Sequence, residues 1–467
     1  MTARSEHVDD TIAAIATPPG EGGVAIVRLS GPEAIQIAAR LFRSSTSRSL
    51  AQSKRPLLHG HVVDAQGQRL DEVLVLRMPA PHSYTREDVV EIHCHGGAGP
   101  VNAILEETLQ QGARLAQPGE FTQRAFLNGR IDLVQAEAVI DQIRARTRDS
   151  LRAANAAAEG VLSREIHGMR DTLAQLLARI EAVVDFPEED DVPELLDASL
   201  VAALRDCRAR MEQLLASAEA GRLYREGALI AIVGRPNVGK SSLFNALLRD
   251  NRAIVTATAG TTRDRLEETL NLQGIPARLV DTAGMRQTED EIERIGVDRA
   301  RDTLRSADLI LFVLDATTPP TPEDRQLAEE LAPLETPVLC VWNKYDLIDS
   351  AAAAPTPTDL PGPFIAECPV SALTGAGLDA LEAQLAQQLR GNTGMAADQP
   401  MLTRAHQKDS LRRAHACLLR ADELLDASPE FLAFEIQETL QALGEITGET
   451  TPDEILGTIF ASFCIGK

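Results

Sequence analysis

Gly234 to Ser241 reads GRPNVGKS and fits G-x-x-x-x-G-K-[ST]. The apolar run ALIAIV precedes it and SSLFNALL follows, so strand, loop and helix stand in the order a phosphate-binding loop needs. Glycines let backbone N–H groups approach phosphate oxygens; Lys240 can reach the β- and γ-phosphates, and the Ser241 hydroxyl can ligate Mg²⁺. The phosphates then lie at the positive end of the next helix, with Val238, Gly239 and Ser242 in the same cradle.

Three further stretches follow in a meaningful order. Asp281, Thr282, Ala283 and Gly284 (DTAG) end a strand-like run; Asp281 can hold Mg²⁺ through water, and the Gly284 amide can sense the γ-phosphate. Asn343, Lys344 and Asp346 stand in NKYD, where the Asp346 carboxylate can accept two hydrogen bonds from the guanine edge that adenine does not offer. Ser371, Ala372 and Leu373 can cap the base with a backbone amide. Together they read as GTP rather than ATP. Ras-type GTPases place a water-orienting glutamine directly after DTAG; here that position is Met285, which cannot hold a water. No arginine finger is evident from the spacing. Asn237 has a carbonyl oxygen that can ligate a monovalent cation or simply stabilise the loop. TATAGTTRD (Thr256, Ala257, Thr258, Ala259, Gly260, Thr261, Thr262, with Arg263 and Asp264) can add carbonyls around the same ion, and Thr262 a Mg²⁺ ligand. TEDEIERIG offers carboxylates for the water, or a solvated helix face.

The elements that must carry these residues show in the pattern. TIAAIAT, GVAIVRLSG, DEVLVLRMP and EDVVEIHCHGG read as strands and VNAILEETLQQGA as a helix, which makes residues 1–130 an α+β domain. Residues 131–226 turn helical, interrupted by FPEEDDVPE, a solvated turn. Residues 227–390 alternate strand and helix as a Ras-like, mostly parallel sheet requires. RGNTGMAADQP reads as a linker, and 391–467 returns to helical periodicity. The expected fold is therefore multidomain, α/β plus all-α, with one helical domain interrupted by an inserted GTPase domain.

Composition narrows the rest. The chain has 467 residues, 44% hydrophobic but only 3% aromatic, with 46 basic and 69 acidic side chains and a formal charge of -23. So acidic a chain is a poor non-specific binder of nucleic acid. Six scattered cysteines without a CxxC pair argue for a reducing cytoplasm. The N-terminus lacks the pattern of a signal peptide, and no apolar run is long enough for a membrane span. In HCHGG, His93 and His95 share one strand face and Cys94 the other, which disfavours a zinc site.

GRPNVGKSS, AGTTRD, DTAGMR, EIERIG and the terminal FCIGK together resemble the MnmE (TrmE) family of tRNA-modification GTPases. So do TPPGEGGVAIVRLSG, EDVVEIHCHGG and PGEFTQRAFLNGRIDLVQAEAV, so the likeness runs along essentially the whole chain. The resemblance implies a tetrahydrofolate-binding and dimerising N-terminal domain and a helical domain holding the inserted G domain. It implies a homodimer whose G domains pair across K⁺ when GTP is bound. The implied K⁺ ligands are Asn237, Thr256, Thr258 and Thr261, and the Mg²⁺ ligands Ser241 and Thr262. Glu293 becomes the water-orienting residue, and Lys240 joins the catalytic set. Folate contacts (5-formyl- or methylene-tetrahydrofolate) fall on Arg28, Glu91, Arg130 and Lys467. Arg130 stands where relatives also carry Lys; both are cationic. The family acts with the flavin-containing partner MnmG to place a carboxymethylaminomethyl group on carbon 5 of the wobble uridine of certain tRNAs. The charge of -23 fits a tRNA held mainly by the partner.

Cys464 is fourth from the end, where a prenylated cysteine sits. Gly466 is not aliphatic and Lys467 is not a usual last residue for that motif. A packed tail and a thiol near the folate and the modification chemistry both remain open. A GTP switch without modification chemistry, as in ribosome assembly, is the competing function; neither a KH-type GXXG module nor a basic tail favours it.

Overall fold

The computed structural model describes residues 10–46, 49–53, 55–185, 198–251, 269–281, 302–348, 360–362, 364–391, 396–425 and 429–467. The chain divides into two compact units, Met1–Ile140 with Leu440–Lys467, and Asp141–Thr439. These cut across the four segments read from the sequence. The acidic run FPEEDDVPE lies outside the described residues.

In the first unit, seven strands form a sheet of order β3-β4-β5-β6-β2-β1-β7. They are β1 (Ile12–Ile15), β2 (Gly22–Ser30), β3 (Phe42–Ser44), β4 (Leu57–Val63), β5 (Arg69–Met78), β6 (Val89–Gly96) and β7 (Arg114–Leu115). The alternation of β2 explains its placement: Ala25, Val27 and Leu29 are buried while Ile26 and Arg28 are only partly so. In β6, Val90, Ile92 and Cys94 are buried, leaving Glu91, His93 and His95 on the other side. The buried sets belong to one core with residues of the helices Ala34–Leu41 and Ala98–Gln110. Antiparallel register sets Arg28 directly opposite Glu91. At the chain end, the helix Asp453–Ala461 and Phe463 pack on the helix that starts at Leu133: Leu456, Phe460 and Phe463 join Leu133, Ala136 and Ile140 in one cluster.

The second unit holds a six-stranded sheet of order β13-β12-β11-β8-β10-β9. Its strands are β8 (Ala228–Val233), β9 (Thr269–Leu272), β10 (Ile275–Asp281), β11 (Leu309–Asp315), β12 (Val338–Asn343) and β13 (Phe364–Pro369). All neighbours pair in parallel except β9 and β10, which form a hairpin. LILFVL of β11 and VLCVWN of β12 are buried without a break, as a parallel sheet covered on both faces requires. The functional loops leave the C-terminal ends of β8, β10, β12 and β13. The helices Arg148–Ala158, Val161–Asp185, Ala198–Glu226 and Ala405–Glu423 belong to the same unit. Ala153, Leu223 and Tyr224 from them enter the core that contains Ile230, Leu270 and Leu279, so helical and sheet parts share one interior. Among the described residues no helix is long and apolar enough to cross a membrane.

Candidate functional site

The phosphate loop joins β8 to the helix Lys240–Asn251. Glycine is required twice for contact reasons. A Cβ on Gly234 would lie 2.4 Å from the Val313 carbonyl oxygen, and one on Gly239 would lie 2.2 Å from Asn343 Nδ2. Asn237 takes φ 64°, a left-handed conformation that asparagine tolerates better than most residues. It is exposed, whereas Val238 beside it is fully buried and anchors the loop. Lys240 is buried to 6% exposure, and its Nζ donates to the Arg235 carbonyl at 2.7 Å, across the loop rather than away from it. Ser241 and Ser242 open the helix.

Three sequence motifs converge through Asn343. Its Nδ2 donates to the Val238 carbonyl at 2.9 Å, and its Oδ1 accepts from the Ala372 amide at 3.0 Å. The loop after β12 is thereby tied to the phosphate loop and to the loop after β13. The Tyr345 amide adds a bond to the Val370 carbonyl at 3.1 Å. Lys344, at φ 65°, donates Nζ to Asp315 Oδ2 at 2.7 Å. Burial would raise the Asp315 pKa, but the bonds from Lys344 and Thr317 hold it below the ordinary carboxylate value. Ser371 is buried and its Oγ accepts from the Thr374 amide, fixing the turn that presents Ala372 and Leu373. Asp346 and Leu373 are exposed beside this junction. Asp281 ends β10, paired with Ile232 of β8. The remaining candidates of this site, Thr256 to Thr262, Thr282, Ala283, Gly284 and Glu293, lie outside the described residues, as does Met285.

Arg235 escaped the sequence reading. Its guanidinium approaches Asp324 at 3.3 Å and donates to Thr318 at 3.0 Å, so the loop is braced by the connection that follows β11, the strand next to β8. No local pattern marks it, because its partners come from the β11–β12 connection.

In the first unit three of the folate candidates, Arg28, Glu91 and Arg130, come together around Tyr84, and the backbone next to the fourth, Lys467, reaches them. Arg28 donates Nε to Glu91 Oε1 at 2.9 Å, and its Nη1 reaches the Gly466 carbonyl at 3.2 Å, one residue before Lys467. The other Glu91 oxygen faces His93 Nε2 at 3.2 Å. Tyr84, which the sequence reading missed, lies under two guanidinium groups, Arg28 at 5.7 Å and Arg130 at 4.7 Å from the ring centroid. Its hydroxyl bonds Thr122 at 2.9 Å. In a chain this poor in aromatics, a tyrosine between two strand runs is the one local signal it offers. The tail is held by its backbone: the Gly119 amide donates to the Cys464 carbonyl at 3.4 Å. Gly466, at φ 91°, presses so close that a Cβ would fall 2.3 Å from the Ile15 carbonyl oxygen. Cys464 itself is exposed, unlike Cys94, whose thiol burial pushes up to about 11. Two cations, a carboxylate and an aromatic face make a donor set suited to a ligand with a planar ring and carboxylate groups.

Comparison with known proteins agrees along the chain. The family model described as the MnmE helical domain matches residues 133–464, and that described as GTP-binding protein TrmE N-terminus matches 11–130. A protein of Chloroflexus aurantiacus named tRNA modification GTPase MnmE is 49% identical, covering 98% of this chain and 100% of its own length. One of the same name from Geotalea uraniireducens is 46% identical, over 99% of this chain and all of its own. Among solved structures, Era of Aquifex aeolicus aligns at 28% identity with 41% of this chain and 67% of its own, with a TM-score of 0.28, too low to add weight.

Proposed function

The chain belongs to the MnmE family and is a GTP hydrolase acting in tRNA modification; from that premise we propose that K⁺ activates it and that it works on the wobble uridine with tetrahydrofolate. The single observation that supports this most is the junction at Asn343, which ties phosphate loop, NKYD and SAL into one pocket for a guanine nucleotide while Asn237 stands exposed on the loop. Ser241 and Thr262 would hold Mg²⁺, and Asn237, Thr256, Thr258 and Thr261 would hold K⁺. Both cations supply positive charge against the phosphates, the part that an arginine finger plays elsewhere. Lys240 neutralises phosphate charge from inside the loop, and Glu293 orients the attacking water in place of Met285. Arg28, Glu91, Arg130 and Lys467 would hold the tetrahydrofolate, which supplies the one-carbon unit; the Arg28–Glu91 pair and the Tyr84 platform fit that role. Cys464, exposed next to this cluster in the chain, is the thiol available to the modification chemistry.

In this reading residues 1–130 bind folate and dimerise, 131–226 and 391–467 form the helical domain, and 227–390 are the inserted G domain. The working form is a cytoplasmic homodimer joined to the flavin-dependent partner MnmG, which holds most of the tRNA. The cycle of GTP binding and hydrolysis drives G-domain pairing and the conformational change coupled to it. The test is GTP hydrolysis by the purified chain in K⁺ and in Na⁺ at equal ionic strength, beside Asn237→Ala. K⁺ should stimulate by about tenfold or more, since it stands in for an arginine finger, and the variant should lose the difference. Equal rates in both salts would overturn the cation mechanism.

A further inference from the structure

The strand β11 lies between β8 and β12 and runs parallel to both, so the chain leaving its C-terminal end passes between the phosphate loop and NKYD. That stretch, DATTPPTPED from Asp315 to Asp324, carries none of the nucleotide motifs. Its two end residues nevertheless reach one motif each. Asp315 Oδ1 accepts from the Thr317 amide at 3.0 Å and the Thr317 hydroxyl at 2.6 Å, which folds the start of the connection. Asp315 Oδ2 takes the Lys344 ammonium of NKYD at 2.7 Å. At the other end, Asp324 Oδ2 accepts from the Thr321 amide at 2.9 Å and the Thr321 hydroxyl at 2.8 Å, capping the helix Pro322–Leu331. The same oxygen lies 3.3 Å from Arg235 Nε of the phosphate loop, and Arg235 also donates to the Thr318 hydroxyl at 3.0 Å.

The connection is built to hold both contacts at once. Pro319, Pro320 and Pro322 fix their own φ angles, which stiffens the backbone between the two acids. The Ala316 amide donates to the Asn343 carbonyl at 2.9 Å and pins its start to β12. Asp324 is 2% exposed, and its Oδ1 has no hydrogen-bond partner among the described residues, so its charge leans on Arg235. A buried carboxylate that loses its cation is costly, which keeps Arg235 where it is. These contacts are distinct from the Asn343 side-chain bonds to Val238 and Ala372.

We propose that residues 315–324 are a shared positioning element for GTP, in which Asp315 sets Lys344 on the guanine side, Asp324 and Thr318 set Arg235 on the phosphate side, and the stiff segment between them couples the two. The proposal rests on the reading of GRPNVGKS and NKYD as two walls of one nucleotide pocket. Asp315, Thr318 and Asp324 act through Lys344 and Arg235 and are positioning residues. Base recognition and phosphate placement are then not independent: loosening either end of the connection loosens the other.

The test is a double-variant cycle on the full chain, with GDP affinity in Mg²⁺ measured by calorimetry and GTP turnover measured beside it. Asp315→Asn and Arg235→Gln should each weaken GDP binding by about fivefold or more. The double variant should fall short of the product of the two losses by about threefold or more, because one segment carries both effects. In turnover, Asp315→Asn should act mainly on KM and Arg235→Gln mainly on kcat, a split that a general loss of stability does not produce. Glu323→Gln, which removes an exposed acid in the same helical turn as Asp324, should bind GDP like the parent. Should Arg235→Gln unfold by stranding Asp324, Thr318→Val takes its place in the cycle, since Thr318 is exposed. Losses that simply multiply, or parent-like affinity in folded variants, overturn the proposal. Lys240→Met separates it from the reading beneath: if that variant loses GDP while Asp315→Asn and Arg235→Gln keep it, the positioning element alone fails. If Lys240→Met binds GDP like the parent, the pocket reading falls and the proposal with it.

Discussion

Replacing Asn343 with alanine removes two hydrogen bonds at once, the 2.9 Å bond to the Val238 carbonyl and the 3.0 Å bond from the Ala372 amide. Asn343 is 2% exposed, so water does not replace them. Each orphaned group costs about 1–3 kcal/mol, which sets an expected loss of about 2–6 kcal/mol. Gly239→Ala attacks the same contact from the other side. Its Cβ would lie 2.2 Å from Asn343 Nδ2, and the residue has φ 94°. The left-handed backbone costs about 1–2 kcal/mol, and the overlap adds about 1–3 kcal/mol. In the double variant the Asn343 amide is gone, so the overlap term vanishes. The two single losses should therefore exceed the double by about 1–3 kcal/mol, the opposite of simple additivity. The chain carries one tryptophan, Trp342 in β12, next to Asn343, so urea unfolding followed by its fluorescence reports on this sheet. GDP affinity, measured beside it, should fall in all three variants because three loops lose their common tie. Losses that add to within about 0.5 kcal/mol would refute the shared-contact reasoning, as would an Asn343→Ala chain that unfolds like the parent.

Three further outcomes concern the first unit. Arg124 is 4% exposed and meets Asp10 at 2.5 Å, Glu120 at 3.2 Å and Glu87 at 3.3 Å; Arg124→Met takes away the ion-pair partner of Glu87, leaves Asp10 and Glu120 to Arg114 alone, and should cost about 3 kcal/mol in thermal unfolding. The same network sets a pH dependence. Burial would raise the pKa values of Asp10 and Glu120, but hydrogen bonds from Arg114, with Arg124 and the Gln117 amide, carry both below their ordinary values. Depressed carboxyls stabilise above their unfolded pKa, near pH 4, and lose that contribution as pH falls through the lower folded values, so the unfolding temperature should drop most steeply below about pH 4. A melting temperature flat through that range would refute it. Gly466→Ala drives a methyl onto the Ile15 carbonyl at φ 91° and shifts the tail from Arg28; tetrahydrofolate binding should weaken by about tenfold, with GTP hydrolysis unchanged, and normal folate affinity would contradict the tail's role.

The nucleotide-binding motifs were legible in the sequence because each is contiguous: a run of β-forming residues, a glycine loop and a helix start lie within a few positions, and backbone amides do most of the work. The strands β1, β2, β5 and β6 were legible for a similar reason, since period-2 burial shows in the letters of GVAIVRLSG and EDVVEIHCHGG. That alternation even separated Cys94 from His93 and His95. What the letters do not carry is register and return. Arg28 and Glu91 stand 63 residues apart, and only the β2–β6 pairing sets them opposite each other. Gly466 reaches Arg28 across 438 residues because Leu456, Phe460 and Phe463 bury themselves on the helix after Leu133, an apolar fit that no local pattern names. Tyr84 joins Arg28 and Arg130 for the same reason. Asn343 could be read as a base-recognition residue, but its tie to Val238 and Ala372 exists only once three parallel strands bring their C-terminal ends together. Short-range geometry is written in neighbouring residues; distant partners are chosen by the burial of apolar faces, which the whole chain settles at once.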